Sequence, residues 1–123
     1  MSMKVHVAVS VTHLDTSIKF YELLGFSESK RYQHQTLNGE WALLEKEGFL
    51  LELFCMRQAD KPTQKQPMTN PGLHHIGIQV QSIDTTLRKV NQETEIQQGT
   101  AVKRYAFITD PDNTLIELYE VMQ

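Results

Sequence analysis

Two histidines and two glutamates in this 123-residue chain are placed as if copied. His6 stands in the alternating run Val5-His6-Val7-Ala8-Val9-Ser10-Val11, and His75 in His74-His75-Ile76-Gly77-Ile78-Gln79-Val80. Glu52 lies between apolar residues in Leu50-Leu51-Glu52-Leu53-Phe54, as does Glu117 in Leu115-Ile116-Glu117-Leu118-Tyr119. Imidazole nitrogen and carboxylate oxygen both offer lone pairs near neutral pH, and a mixed N/O set with open positions suits a divalent ion such as Zn, Ni, Mn, Fe or Co. Two buried carboxylates would be costly unless a cation offset their desolvation. Taken singly, each residue has a plainer reading: a hydrogen-bonded or surface histidine, or a glutamate on the solvated face of an edge strand. Their joint recurrence selects the ligand reading, one shared metal site of His6, Glu52, His75 and Glu117.

The elements that must position these residues repeat as well. His6 and His75 are 69 residues apart, as are Asp15 and Asp84 in the two following segments, whereas Glu52 and Glu117 are 65 apart. A duplicated module is implied, with a four-residue deletion in the middle of its second copy. Residues 4–11 alternate with the period of a half-buried strand, and Leu14, Ile18, Tyr21 and Leu24 then recur at helical spacing until Gly25 offers a stop. Strands are expected at 26–33, 40–46 and 49–57, with turns at Asn38-Gly39 and Glu47-Gly48. Polar residues with Pro62, Pro67 and Pro71 then read as a surface linker. The second copy predicts a strand at 73–80, a helix at 84–92, and strands at 94–98, 103–109 and 114–121. Asp110-Pro111-Asp112-Asn113 forms its last turn, with Asn113 left-handed.

The expected fold is α+β: two tandem βαβββ modules forming a curled mixed sheet around a metal-containing cavity, helices outside. Helix one is expected to cover strand one. The chain is long enough for one domain and too short for two independent globules. Residues 1–123 are therefore assigned to one domain, with module 1 at 1–57, the linker at 58–72 and module 2 at 73–123. A formal charge of −3 without a basic cluster argues against nucleic acid or an anionic membrane and for a small-molecule partner. One cysteine, Cys55, and no apolar leader or bilayer-length segment point to a soluble, cytoplasmic protein without disulfides.

Other residues carry weaker signals. His74 alternates with Ile76 and Ile78 and is expected to face the helix as a packed or hydrogen-bonded residue. His13 and His34 read as loop and surface residues, and Cys55 as a small buried one on the face opposite Glu52. Arg57 and Lys103-Arg104-Tyr105 could meet an anionic substrate group, though solvated strand ends explain them equally well. Trp41, Phe54 and Tyr119 read first as core, and otherwise as an apolar wall of the cavity.

With these residues in view the chain resembles the vicinal oxygen chelate superfamily (glyoxalase, bleomycin resistance protein, extradiol dioxygenase), and within it glyoxalase I. The resemblance rests on His6, Ser17-Ile18-Lys19-Phe20-Tyr21, Leu23-Leu24-Gly25-Phe26, His75-Ile76-Gly77, and Asp110-Pro111-Asp112-Asn113 followed by Ile116-Glu117-Leu118. It covers nearly the whole chain. It implies paired βαβββ modules, a divalent metal, a homodimer, and a His-Glu-His-Glu set that carries over to His6, Glu52, His75 and Glu117. Dioxygenases and fosfomycin-modifying thiol transferases of this fold generally use two His and one Glu, so Glu52 favours the four-ligand branch. The implied activity is a lyase or isomerase acting on a small vicinal-oxygen substrate, such as a 2-oxoaldehyde hemithioacetal, through an enediolate. Glu117, or alternatively Glu52, would serve as catalytic base. A drug- or antibiotic-binding protein, an extradiol dioxygenase and a thiol transferase are the alternatives. The second module is short where larger members carry closing loops, and no residue matches glutathione recognition.

Overall fold

The computed structural model describes residues 4–34, 39–56 and 71–122. Arg57, Asn38 and most of the linker lie outside the described residues. The fold is α+β, two tandem βαβββ modules, and the chain divides into two compact units, Met1–Pro62 and Thr63–Gln123.

In the first unit the order is β1 (His6–Ser10), α1 (Leu14–Leu23), β2 (Ser27–His34), β3 (Gly39–Lys46) and β4 (Phe49–Met56). The strands form a sheet in the order β1-β4-β3-β2, with β1 parallel to β4 and the other pairs antiparallel. A parallel neighbour needs a long crossover, here supplied by α1, β2 and β3. Alternation then sorts the sheet into two faces. Val9, Ala42, Leu44, Leu51 and Leu53 are buried, as are Leu14, Ile18, Phe20 and Tyr21 of α1. The helix packs on β2, β3 and β4 rather than mainly on strand one as expected. It follows β1 directly, but the fully buried residues Ala42, Leu44, Leu51 and Leu53 lie on the central strands β3 and β4.

Local chemistry sets the breaks. Gly25, at φ +99°, ends α1 in a Schellman motif: its N–H donates to the Glu22 carbonyl and that of Phe26 to the Tyr21 carbonyl. Glu47 and Gly48 both have positive φ, as the two-residue hairpin joining β3 to β4 requires. His34, one residue beyond the strand expected at 26–33, is the last residue of β2.

The second unit repeats the plan with β5 (Ile76–Gln79), α2 (Ile83–Val90), β6 (Gln97–Gln98), β7 (Arg104–Thr109) and β8 (Leu115–Glu120), in the order β5-β8-β7-β6. Again the first strand is parallel to the last. Ile76, Ile78, Ala106, Ile108, Ile116 and Leu118 form the buried face, closed by Ile83 and Leu87 of α2. The Ser82 side chain accepts the Thr85 N–H at 3.2 Å and caps the helix. Asn91, at φ 56°, ends it in a second Schellman motif, with the Gln92 N–H on the Leu87 carbonyl.

That cap locates most of the deletion. The helix starts, Leu14 and Ile83, keep the 69-residue offset, whereas the left-handed caps, Gly25 and Asn91, are 66 apart. The residues are therefore lost chiefly from α2. Gln92 then donates through Nε2 to the Thr109 carbonyl and accepts the Thr109 N–H, at 2.7 and 3.1 Å, tying the shortened helix end to β7. The Asp110 side chain accepts the N–H groups of Asp112 and Thr114, and Asn113 is left-handed (φ 68°), as the sequence predicts for this turn.

Candidate metal centre

Strand register decides which side chains share a face. In the first unit Ala8 is opposite Glu52, so His6, two residues earlier, shares Glu52's side of the sheet. The closest approach, His6 Nε2 to Glu52 Oε1, is 3.8 Å. In the second unit Gly77 is opposite Glu117, and His75 Nε2 comes within 3.7 Å of Glu117 Oε1. The same imidazole–carboxylate pair thus forms twice on the same structural frame.

Both separations exceed the roughly 3.2 Å limit of a good N–H···O hydrogen bond. They fall within the span of about 4 Å that one ion can bridge with bonds of about 2.1 Å to each atom. The glutamate side chains are only 19% and 24% exposed and accept no hydrogen bond among the described residues. A partly desolvated carboxylate without donors is poorly compensated, and a cation would compensate it. The donor set and its spacing therefore fit a divalent ion, each unit offering a two-donor half-site. Among the described residues no three His, Cys, Asp or Glu side chains form one group around an ion position.

Gly77 shapes the second half-site. A β-carbon there would lie 3.3 Å from Glu117 Oε1 and 3.5 Å from the Tyr119 ring, so glycine leaves the carboxylate its place. Ala8 holds the equivalent position beside Glu52.

Around the first pair the open face is aromatic. Tyr32, Trp41 and Phe54 follow one another across β2, β3 and β4, with ring centroids 5.5 and 5.2 Å apart and the rings tilted by 35° and 37°. Trp41 and Phe54 are therefore part of the wall on Glu52's side rather than of the helix-side core. Tyr119 shares Glu117's face. Around the second pair the Phe107 ring, opposite Glu117, meets the His75 ring edge-on at 5.3 Å.

The remaining candidates separate. Arg104 is no free anion site: its guanidinium donates to both Glu120 oxygens at 2.9 Å and to Asp84 Oδ2 at 3.2 Å. Lys103 is exposed, and His13 is an exposed residue at the start of α1 whose Nδ1 lies 3.2 Å from Thr12 Oγ1. Cys55 is half-buried, and its thiol reaches the Thr12 carbonyl at 3.4 Å. His74 does not face the helix. Strand pairing starts only at Ile76, so His74 escapes the pleat that alternation assumed, and its ring meets those of His75 and Phe107. It is hydrogen-bonded, as expected, but to His75 at 2.8 Å, a partner that strand periodicity does not name.

A sequence profile of the Glyoxalase/Bleomycin resistance protein/Dioxygenase superfamily matches residues 5–118. The chain belongs to this family, whose fold is that of the vicinal oxygen chelate proteins. Among relatives, the uncharacterized protein YaeR of Escherichia coli is 30% identical over 125 residues, covering 94% of this chain and 93% of YaeR. The trypanothione-dependent glyoxalase I of Leishmania major shares the fold at TM-score 0.72 and 24% identity, over 98% of this chain and 87% of its own. So does the fosfomycin resistance protein FosX of Listeria monocytogenes, solved with Mn(II) and sulfate, at TM-score 0.70 and 18% identity over 99% and 94% of the two chains. Among the described residues no helix is long and apolar enough to cross a membrane.

Proposed function

We propose that this protein is a metal-dependent, glyoxalase I-like lyase or isomerase acting on a small substrate with two adjacent oxygens, such as a 2-oxoaldehyde hemithioacetal. The observation that carries the reading is the repeated His–Glu pair, at 3.8 Å in one unit and 3.7 Å in the other. His6, Glu52, His75 and Glu117 would together hold one divalent ion, Zn, Ni, Mn, Fe or Co, within one chain or across a homodimer. Mn(II) in the FosX structure and the glyoxalase activity of the Leishmania protein support the class of chemistry. When bound, the ion would supply Lewis-acid polarisation of the two substrate oxygens. Glu117 would remove the carbon-bound proton and return it to the neighbouring carbon, so that the substrate isomerises with no atom gained or lost. The Phe107 ring beside His75, and the aromatic row beside Glu52, would exclude water from the polarised substrate.

The test is elemental analysis of the dialysed protein beside Glu117→Ala. About one ion per four-ligand site in wild type, with reduced retention in the variant, is the expected result. Wild type that holds none after reconstitution with Ni, Zn, Mn and Fe would overturn the reading.

The row Tyr32–Trp41–Phe54 favours a second reading, a non-catalytic protein that stacks a planar drug-like molecule on that face. Trp41 is the only tryptophan, so its fluorescence reports the row directly. Quenching by planar aromatic compounds in metal-stripped protein, reduced at least tenfold in affinity in Phe54→Ala, is the result this reading expects. Unchanged emission throughout such a series would dismiss it.

A further inference from the structure

The two half-sites differ in what stands behind the histidine. His6 follows Val5, which is 79% exposed, and its own side chain is 53% exposed with no ring hydrogen bond among the described residues. His75 follows His74, and the two Nδ1 atoms are 2.8 Å apart. Nitrogens so close must share a proton, one ring donating and the other accepting. The Nε2 atom of His74 is buried and has no hydrogen-bond partner among the described residues. Such an atom is rare enough in a folded protein to need a reason, because a group stranded this way costs about 1–3 kcal/mol.

The Nε2 atom of His75 is the one turned toward Glu117. A neutral imidazole that gives this lone pair to a cation must carry its single proton on Nδ1. That proton then has one acceptor at hand, Nδ1 of His74, and His74's own proton is left on the buried Nε2. The opposite arrangement would put a proton on His75 Nε2 and block it as a ligand. We infer that His74 is a positioning residue: it accepts the Nδ1–H of His75, sets the ring's tautomer and orientation, and makes the second half-site the better prepared one. Edge-on contacts with Phe107, at 6.5 Å for His74 and 5.3 Å for His75, hold both rings in place. The inference rests on His75 being a metal ligand, as proposed above. Ligand imidazoles commonly donate their second N–H to such a partner, and losing it typically weakens metal binding about 10- to 100-fold.

The test compares wild type, His74→Phe and His74→Asn by zinc titration calorimetry and by nitrogen NMR of the histidine rings. Asparagine places its Oδ1 near the position of a histidine Nδ1, so it keeps an acceptor that phenylalanine removes. Zinc affinity should fall about 10- to 100-fold in His74→Phe and stay nearer wild type in His74→Asn. In wild type the His75 proton should be on Nδ1 with zinc bound, and a slowly exchanging ring N–H should be visible in metal-free protein and absent from His74→Phe. Equal zinc affinity in folded His74→Phe, or a zinc-bound form with the His75 proton on Nε2, would overturn the inference while leaving the four-ligand reading intact. Wild type that takes up no zinc or other divalent ion would instead remove the metal site, and the ligand role of His75 with it. Should His74→Phe fail to fold, the wild-type NMR assignment and His74→Asn still decide.

Discussion

Glu117→Gln should retain the fold and lose turnover of a 2-oxoaldehyde hemithioacetal by about 10²- to 10⁴-fold, the usual contribution of a positioned general base. Glutamine has nearly the same shape, so the space that Gly77 leaves beside Tyr119 is still filled. What disappears is the charge and the capacity to take a proton. Glu52→Gln is the necessary companion, because Glu52 stands 3.8 Å from His6 much as Glu117 stands 3.7 Å from His75. If Glu117 is the base, kcat should drop far more in Glu117→Gln, whereas Glu52→Gln should chiefly weaken metal retention. A larger kcat loss in Glu52→Gln would transfer the role to Glu52. Activity near wild type in Glu117→Gln, at full metal occupancy, would end the assignment.

The four proposed ligands were legible because His6, Glu52 and Glu117 lie on strands whose alternation states their face, because His75 directly precedes β5, and because duplication repeats the pattern. Register then did what spacing alone could not, setting Glu52 opposite Ala8 and Glu117 opposite Gly77 so that each histidine comes near its glutamate. Turn chemistry was legible for the same local reason: Gly25, Glu47-Gly48 and Asn113 adopt positive φ where the sequence predicts a break. The reading failed where an outcome depends on residues far apart in the chain. The extent of α1's packing depends on where the fully buried strand residues lie, and the Arg104 partner depends on cross-strand register plus the start of a helix 20 residues upstream. His74 was misplaced for another reason. Alternation holds only where strand pairing holds, and pairing begins two residues after it.

Arg104 leads to the second large effect, on stability rather than turnover. Glu120 is buried, yet it accepts two hydrogen bonds from Arg104 at 2.9 Å and the Ile83 N–H at 2.8 Å. One carboxylate thus joins β7, β8 and the first turn of α2, where the helix dipole also favours a negative charge. The Arg104 guanidinium and then the Ile83 N–H hold its carboxyl at about 2, below the ordinary 4.5. Glu120→Gln keeps the size but loses the charge, and should destabilise the protein by about 2–3 kcal/mol at neutral pH. For a chain of this length that lowers Tm by about 10 °C. Because the folded-state value lies below the unfolded one, the ionised group contributes fully above pH 4.5 and progressively less as pH falls through about 2. The gap between wild type and Glu120→Gln in urea midpoints should therefore be widest at pH 6–7 and narrow steadily below pH 4.5. A gap that stays constant down to pH 2.5 would mean that Glu120 acts through shape and packing, and that its charge contributes little to holding α2 on the sheet.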